Sequence, residues 1–489
     1  MSGIKRFVGD TMIYGVTTIL SRMLNFIMTP IFTSSFATSV YGILTNLYAY
    51  ASFVNAVLAF GMETTFFRYL QKVEGDKKKV FDTSFFITLI AAFLFLITVF
   101  IFSTPIASLL SNGEQLSDYT TYVKYFAVML AADAVAVIPF AKLRAEGRPI
   151  RYSLIKSLNI VIYVTCVLIL LYVFPKFNDQ YSFINSWYRE GWLGNVFLAN
   201  VIASVLTVVL LLPQMMGFRF RVERKLLKSM LNYSFPILIA NISFIINENL
   251  DKMIIPMLLP EGGNEETGSY GAATKIAVFL SLFVTAFRLG AEPFFFSHAK
   301  HENARKTYAG IMEYFVIGML IVMIGICANL SWLKNFIRGQ EDQLASYWSG
   351  LYIVPFILFN YVLLGIYMNL SVWYKLSDQT RYGLYISGIG AIITIILNFG
   401  LIPSYSYQGA VFATTCAYLS MLGLSYFWGQ KNYPIPYPVK KIVIYLIVGS
   451  GTAWLASNQG FWIGNVLLLV FVSVVFYLEK NNLKKFIRN

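Results

Sequence analysis

The sequence predicts an all-α polytopic membrane protein with about 14 transmembrane helices. Of its 489 residues, 57% are hydrophobic and 13% are charged, whereas soluble domains carry about 25% charged residues. Apolar stretches of about 20 residues, long enough to cross a ~30 Å hydrocarbon core, recur from Met12 almost to the C-terminus, with short polar loops between them. Lipid is therefore the expected solvent for most of the fold.

Hydropathy predicts the individual spans, each of which ends at a polar or charged loop. The predicted spans are residues 11–34, 40–64, 81–103, 119–141, 152–174, 193–213, 233–257, 270–296, 307–328, 346–371, 381–402, 408–428, 439–457 and 461–478.

Basic side chains predict the orientation of these spans. If the N-terminal loop with Lys5 and Arg6 is cytoplasmic, most Lys and Arg residues fall on that side, and the other side holds Lys124, Lys176, Arg189, Lys334 and Arg338. This imbalance follows the positive-inside rule and predicts that both termini are cytoplasmic. The net charge of +14 is spread over many loops, so a nucleic-acid partner is not expected.

An internal repeat predicts two halves in the same orientation. Shifting the chain by 229 positions aligns residues 41–67 with residues 270–296 without a gap, and eight of these 27 positions are identical. The repeat covers six predicted helices, and an even number gives parallel copies, as in transporters that alternate access between two lobes. We expect an N-lobe over 1–213, a cytoplasmic linker over 214–232, a C-lobe over 233–431, and two extra helices with a basic tail over 432–489.

Ionisable side chains inside the predicted spans are candidate functional residues, because a charge at the bilayer centre costs about 2.5–3.5 kcal/mol on insertion scales. In the first span, Arg22 and Asn25 belong to a polar stripe that we expect to face a wet cavity. The seventh span contributes Asn247, Glu248, Asp251 and Lys252, and the eighth contributes Arg288 and Glu292.

Two interpretations of these charges stay open. The pairs Glu248–Lys252 and Arg288–Glu292 are each one helical turn apart, so they can form ion pairs that hold the helices together. Alternatively, the cationic groups bind substrate, and guanidinium groups then favour an anionic one. Asp133, a carboxylate within an apolar run, either carries a coupling ion or hydrogen-bonds to a neighbouring helix.

No cofactor or metal site is predicted. Cys166, Cys327 and Cys416 are far apart, and His298 and His301 lie in one loop beside Lys300 without a thiol partner, so neither set forms the ligand pattern of a structural zinc site. A Gly-rich phosphate loop is also missing, which makes direct ATP hydrolysis an unexpected activity.

The chain resembles the bacterial oligosaccharide-lipid flippases of the polysaccharide biosynthesis family, within the multidrug/oligosaccharidyl-lipid/polysaccharide exporter superfamily. The resemblance is carried by GDTMIYGVTTILSRMLNFIMTPIFTSSF, by YGILTNLYAYASFVNAVLAFGMETTFFRYL, and by NENLDKMIIPMLLP with the following GSYGAATKIAVFLSLFVTAFRLGAEPFFF. It implies a two-lobed cavity that moves a polyprenyl-pyrophosphate-linked oligosaccharide to the periplasmic side of the inner membrane for O-antigen (lipopolysaccharide), capsule or exopolysaccharide synthesis. Arg22, Lys252 and Arg288 would contact its headgroup, and the partners would be membrane lipid, a polysaccharide polymerase and glycosyl transferases.

Other functions remain alternatives at this level. Within transport, they are a lipid II flippase and an ion-coupled multidrug or metabolite antiporter that uses Asp133 or Glu248. An enzyme, such as a membrane-embedded polysaccharide polymerase or glycosyl transferase, is less favoured, because no predicted outer loop is long enough to hold a catalytic site and the near-symmetric halves suit transport better.

Overall fold

A computed structural model of the chain describes residues 23, 26–74, 76–111, 115–178, 180–220, 222–299 and 301–488, without the side chains of residues 289, 292, 293, 297 and 481–488. The longer helices are α1 (Thr38–Ala59), α2 (Met62–Lys72), α3 (Lys78–Ile101), α4 (Leu116–Ala145), α5 (Pro149–Leu168), α6 (Gly194–Met215), α7 (Arg224–Leu258), α8 (Gly263–His298), α9 (Ala304–Ala328), α10 (Val354–Leu370), α11 (Arg381–Asn432), α12 (Val439–Ser457) and α13 (Phe461–Arg488).

Shorter helical segments connect these elements. They are Thr29–Ser35, Ser103–Ser111, Phe174–Phe177, Ser182–Asn185, Leu330–Leu333, Glu341–Ser349 and Val372–Leu376, with a π-helical turn at Ile169–Val173 and 3₁₀ turns at Lys334–Phe336 and Leu351–Ile353. The described residues contain no β-strand. Helices are the expected elements, because they satisfy every backbone hydrogen bond within one segment in lipid.

The helices have the length and surface of membrane spans. Within the described ranges, twelve helices are long and apolar enough to cross a bilayer. Large apolar side chains are exposed along them, including Phe93 on α3, Ile447 on α12 and Trp462 on α13. Because such a surface is unfavourable in water and favourable in hydrocarbon, the predicted all-helical membrane fold is confirmed.

Helix α11 contains two of the predicted spans. Its 52 residues would extend about 78 Å at 1.5 Å per residue, more than twice a ~30 Å hydrocarbon core. Ser406 interrupts it with a non-helical backbone, φ 47° and ψ −139°, between the predicted spans 381–402 and 408–428. The total of about fourteen crossings stays a prediction, because most of the first span, 11–34, lies outside the described residues.

The chain divides into two compact units. Unit 1 consists mainly of Ile43–Glu261, and unit 2 combines Thr29–Gly42 with Gly262–Asn489. Helix α7 thus belongs to unit 1, and helix α1 begins in unit 2 and continues in unit 1. The predicted lobes are defined by the sequence repeat, whereas these units are defined by packing. The two divisions rest on different criteria, and the lobes stay a prediction.

Unit 1 is built around α4, which packs against α3, α2 and α6. An apolar cluster of this unit includes Met62 and Phe66 of α2, Phe81 of α3, Ile138 of α4 and Met230 of α7. Inside this unit, the buried hydroxyl groups of Thr65 and Ser234 are 2.5 Å apart and join α2 to α7. The core is therefore continuous from α2 to α7.

In unit 2, α9 packs against α8, α10, α12 and α13. Lys441 of α12 ties three of these helices together, since its Nζ lies 2.5 Å from Oε1 of Glu313 on α9 and of Glu479 on α13. Tyr445 also donates a hydrogen bond to Glu479, whose side chain is 1% exposed. The two helices that follow the predicted repeat are thus fixed to α9 by a buried polar cluster.

Glycine permits a backbone contact at one end of unit 2. A Cβ atom on Gly268 of α8 would lie 1.9 Å from the carbonyl oxygen of Thr38, and one on Gly42 would lie 1.7 Å from that of Asn264. A Cβ atom at either position would overlap the carbonyl oxygen, so the starts of α1 and α8 can approach this closely only with glycine at both positions. Tyr347, fully buried, donates to Phe36 O at 2.9 Å and holds the same segment.

Candidate functional site

Helix α7 carries the predicted polar segment inside unit 1. Asn247 and Asp251 are buried, and the Lys252 side chain is 15% exposed. Lys252 Nζ lies 3.2 Å from Asp251 Oδ1 and donates to the backbone oxygen of Glu248 at 3.0 Å. Lys252 therefore forms an ion pair with the neighbouring Asp251 and a hydrogen bond with the carbonyl of Glu248, one turn back. An ion pair between the side chains of Glu248 and Lys252 stays a prediction.

A proline explains why polar groups collect at this point. Pro256 has no N–H, so the carbonyl of Lys252 loses the donor that it would have in a regular helix. Asn46 of α1 replaces that donor: its Nδ2 donates to Lys252 O at 2.7 Å and to Met253 O at 3.0 Å. Tyr50 OH adds a bond to Met253 O at 3.1 Å. Two side chains of α1 thus supply hydrogen-bond donors to α7 where Pro256 interrupts its backbone hydrogen bonds.

This arrangement predicts a large effect of Asn46→Ala. The substitution removes the donor that Asn46 supplies to the partly buried Lys252 carbonyl, and loss of such a donor costs about 1–3 kcal/mol. We expect a lower melting temperature of the purified protein in detergent, measured by intrinsic fluorescence.

The double variant Asn46→Ala/Pro256→Ala supplies the control. Alanine at 256 restores the N–H that Lys252 O lacks, so the loss caused by Asn46→Ala should be smaller in that background. An equal loss of melting temperature with and without Pro256→Ala would mean that Asn46 does not act by replacing the missing N–H of Pro256.

Asp133 belongs to a second polar cluster of unit 1. It hydrogen-bonds to Ser204 of α6 and interacts electrostatically with Lys156 of α5. The Lys156 ammonium also lies 4.4 Å from the centroid of the Phe140 ring. Asp133 therefore makes the hydrogen bond to a neighbouring helix that one of the two interpretations expects, and its ion coupling stays a prediction.

Hydrogen bonds continue this cluster along α5 and α6. Asn159 Nδ2 donates to Thr207 Oγ1 at 2.8 Å, and Asn200 Nδ2 donates to Tyr48 OH at 2.8 Å. Tyr48 also bonds to Tyr163. Because unpaired polar groups are costly in an apolar interior, this paired network orders the helices around Asp133.

Arg288 lies in a cleft of unit 2 between α8 and α10. Lys375 and Asn369 line the same cleft, whose volume is about 20 Å³, enough for about one water molecule. Arg288 is exposed, and its Nη1 is 3.8 Å from Met368 Sδ. Among the described side chains, no carboxylate forms an ion pair with Arg288.

The other predicted site residues are not described at the level of side chains. Arg22 and Asn25 lie outside the described residues, and of Glu292 only its position in α8 is described. Their roles, and the Arg288–Glu292 pair, therefore stay predictions.

Several polar residues were missed by sequence reasoning. Asn46 and Tyr50 lie in a predicted span, and Pro256, four residues after Lys252, was the available signal of a carbonyl that needs a donor. Lys156 and Lys375 lie near the ends of predicted spans, where lysine is common because it extends towards the interface. Only packing reveals that Lys156 reaches Asp133 and that Lys375 shares the cleft with Arg288.

Comparison with known proteins gives a family and a fold. Residues 7–297, more than half of the chain, match the family described as polysaccharide biosynthesis protein, and residues 236–399 match the MatE family. An uncharacterized membrane protein of Methanocaldococcus jannaschii, MJ1375, is 20% identical over 403 residues, which cover 80% of this chain and 90% of the relative.

Two solved structures share the fold over most of the chain. The lipid II flippase MurJ in an inward closed conformation has a TM-score of 0.71 at 15% identity, covering 95% of this chain and 99% of that one. An inward-facing multidrug resistance MATE family transporter of the MOP superfamily has a TM-score of 0.62 at 14% identity, covering 85% and 94%. These TM-scores establish a common fold. The longer family match, residues 7–297, covers the first eight predicted spans. The chain belongs to the polysaccharide biosynthesis protein family.

Proposed function

We propose that this protein is a flippase that moves polyprenyl-pyrophosphate-linked oligosaccharide units from the cytoplasmic to the periplasmic leaflet of the bacterial inner membrane. The units would serve the synthesis of O-antigen, capsule or exopolysaccharide. Transport would proceed by alternating access of the N-lobe (1–213) and the C-lobe (233–431). Polysaccharide polymerase and glycosyl transferases would be its partners in the pathway.

The observation that carries this proposal is the cationic cleft of Arg288 and Lys375. Lys375 lies at the end of the long apolar span Glu341–Leu376, next to a loop that the positive-inside rule assigns to the cytoplasm. Arg288 lies in the last third of α8 (Gly263–His298), which leads to another loop on that side. Guanidinium and ammonium groups bind phosphate oxygens through charge-assisted hydrogen bonds. The negative charge of a pyrophosphate headgroup from the cytoplasmic leaflet suits these two cationic side chains. The cleft, at about 20 Å³, would have to open to admit it, as alternating access requires.

The Asn369 amide gives further support. Asn369 is 6% exposed, and its Oδ1 has no hydrogen-bond partner within the part of the chain that the structure describes. A buried acceptor without a donor costs free energy. A water molecule or a hydroxyl group of the substrate in the cleft would satisfy it.

Deletion of the gene in its own host cells tests the proposal. We expect lipid-linked oligosaccharide to accumulate on the cytoplasmic side and surface polysaccharide to disappear, both restored by the gene on a plasmid. Intact surface polymer together with altered sensitivity to cationic drugs would overturn the flippase proposal in favour of an antiporter.

Ion coupling through Asp133 is tested by a charge-neutral pair of substitutions. Asp133→Asn removes the ionisable carboxylate and leaves Lys156 without its counter-charge, so we expect both lower thermal stability and loss of flipping driven by a pH gradient in proteoliposomes. In Asp133→Asn/Lys156→Gln the uncompensated charge is gone, so stability should recover while flipping stays lost. Normal flipping by the double variant would assign Asp133 a structural role alone.

A further inference from the structure

A pocket at one end of unit 1 is separate from the polar segment of α7. It has a volume of about 500 Å³, within the range of about 300–1,000 Å³ that small-molecule sites occupy. Its walls come from three places in the chain: the end of α2 with the start of α3, the end of α4, and the turn after α6. By the positive-inside rule these loops are the cytoplasmic ones.

The walls combine lysines with apolar side chains. Lys77 and Lys78 lie at the start of α3, and Lys142 lies near the end of α4. Phe66 and Phe81 of the buried core form part of the apolar wall. This mixture fits an amphiphilic anion, since the lysines attract its charge and the rings contact its apolar part.

Lys142 is held in place before any ligand binds. Its Nζ donates to the backbone oxygen of Gln214 at 2.8 Å and lies 4.4 Å from the centroid of the Phe81 ring. An ammonium group has three donors, so Lys142 retains donors for a ligand. A fixed lysine loses less conformational entropy on binding than a mobile surface lysine.

The acidic neighbours leave the pocket positive. Glu146 also lines it, and its Oε2 lies 3.2 Å from Arg148 Nε. Asp76 Oδ1 accepts the backbone N–H of Lys78 at 3.0 Å. Three lysines therefore face one lining carboxylate, and that carboxylate already has a partner.

We propose that this pocket binds the phosphate headgroup of an anionic lipid in the cytoplasmic leaflet. Lysine is a general phosphate ligand, and anionic lipids concentrate basic segments at this surface. Two lipids carry the required chemistry, an anionic phospholipid and a polyprenyl pyrophosphate. The pocket shares no lining residue with the Arg288 cleft, so phospholipid binding is independent of the proposed flipping, whereas binding of polyprenyl pyrophosphate rests on that proposed function.

Native mass spectrometry of the purified full-length protein tests the site. Phosphatidylglycerol, zwitterionic phosphatidylcholine and polyprenyl pyrophosphate would be titrated separately. We expect the wild type to retain an anionic lipid, and the variant Lys77→Gln/Lys78→Gln/Lys142→Gln to bind it about tenfold more weakly or worse. Tighter retention of phosphatidylglycerol identifies a membrane phospholipid, and tighter retention of polyprenyl pyrophosphate identifies the lipid carrier.

Two further variants make the result specific. Lys72→Gln/Lys79→Gln/Lys225→Gln removes the same charge from exposed lysines outside the pocket, and it should bind like the wild type. Ala145→Trp fills the pocket without changing its charge and should also lower affinity, even if the first variant folds poorly. Equal weakening by the control triple variant, or unchanged affinity in Ala145→Trp, would overturn the proposal.

Discussion

Replacement of Arg288 by glutamine is expected to reduce flipping at least about a hundredfold while the protein still inserts and folds. A charge-assisted hydrogen bond to a desolvated phosphate is worth several kcal/mol, and about 1.4 kcal/mol corresponds to a tenfold change. No described carboxylate forms an ion pair with Arg288, so its removal leaves no described buried charge without a partner. The measurement is transfer of a polyprenyl-pyrophosphate-linked oligosaccharide in proteoliposomes, at matched protein incorporation.

Arg305 provides the matched control for this prediction. It is an exposed arginine at the start of α9 whose guanidinium lies 4.6 Å from the centroid of the Tyr433 ring, and it does not line the Arg288 cleft. Arg305→Gln should keep near-normal flipping, and Arg288→Lys should keep part of it because the charge remains. Full flipping by Arg288→Gln would remove Arg288 from the headgroup site.

The substitution Gly268→Ala is expected to destabilise the protein strongly, although alanine is a better helix former than glycine. Helix propensity alone would stabilise the variant by about 1 kcal/mol. The new Cβ would, however, lie 1.9 Å from Thr38 O, so the starts of α1 and α8 must separate, and overpacking of this kind costs about 1–3 kcal/mol or more. Thermal unfolding followed by size-exclusion chromatography measures the loss.

Gly423→Ala is the control, because Gly423 is a helical glycine in α11 with no atom near the position of its Cβ. It should unfold at or above the wild-type temperature. If Gly268→Ala were as stable as Gly423→Ala, that result would contradict the close contact between α1 and α8.

The limits of sequence reasoning are clearest around α7. Hydropathy and charge correctly placed a helix there and selected Asn247, Glu248, Asp251 and Lys252 as its polar residues. The periodicity of the same helix predicted Glu248 as an ion partner of Lys252, which stays a prediction, and the structure adds the neighbouring Asp251, whose Oδ1 lies 3.2 Å from Lys252 Nζ. Periodicity did not single out Asp251, because it considers residues one turn apart, whereas contact between adjacent residues depends on the rotamer of the lysine.

Contacts between helices distant in sequence were beyond prediction for a related reason. Asn46 and Pro256 are 210 positions apart. This separation is neither one helical turn nor the 229-position offset of the repeat, so neither pattern connects the two residues. The Lys441 cluster likewise joins three helices that hydropathy treats as independent apolar spans. A transmembrane helix satisfies its own backbone hydrogen bonds, so its hydropathy and periodicity do not specify which helix it packs against.

By itself, the sequence determined that this protein is a bundle of membrane-spanning helices, because apolar length and backbone hydrogen bonding in lipid leave few other solutions. It also determined which side chains are costly in that environment and are therefore candidates for function. Only the tertiary structure decided how those charges are neutralised, that α7 packs with unit 1, and that three lysines from separate loops share one pocket. Those outcomes depend on side-chain packing between helices that are far apart in the chain, and no local pattern encodes them.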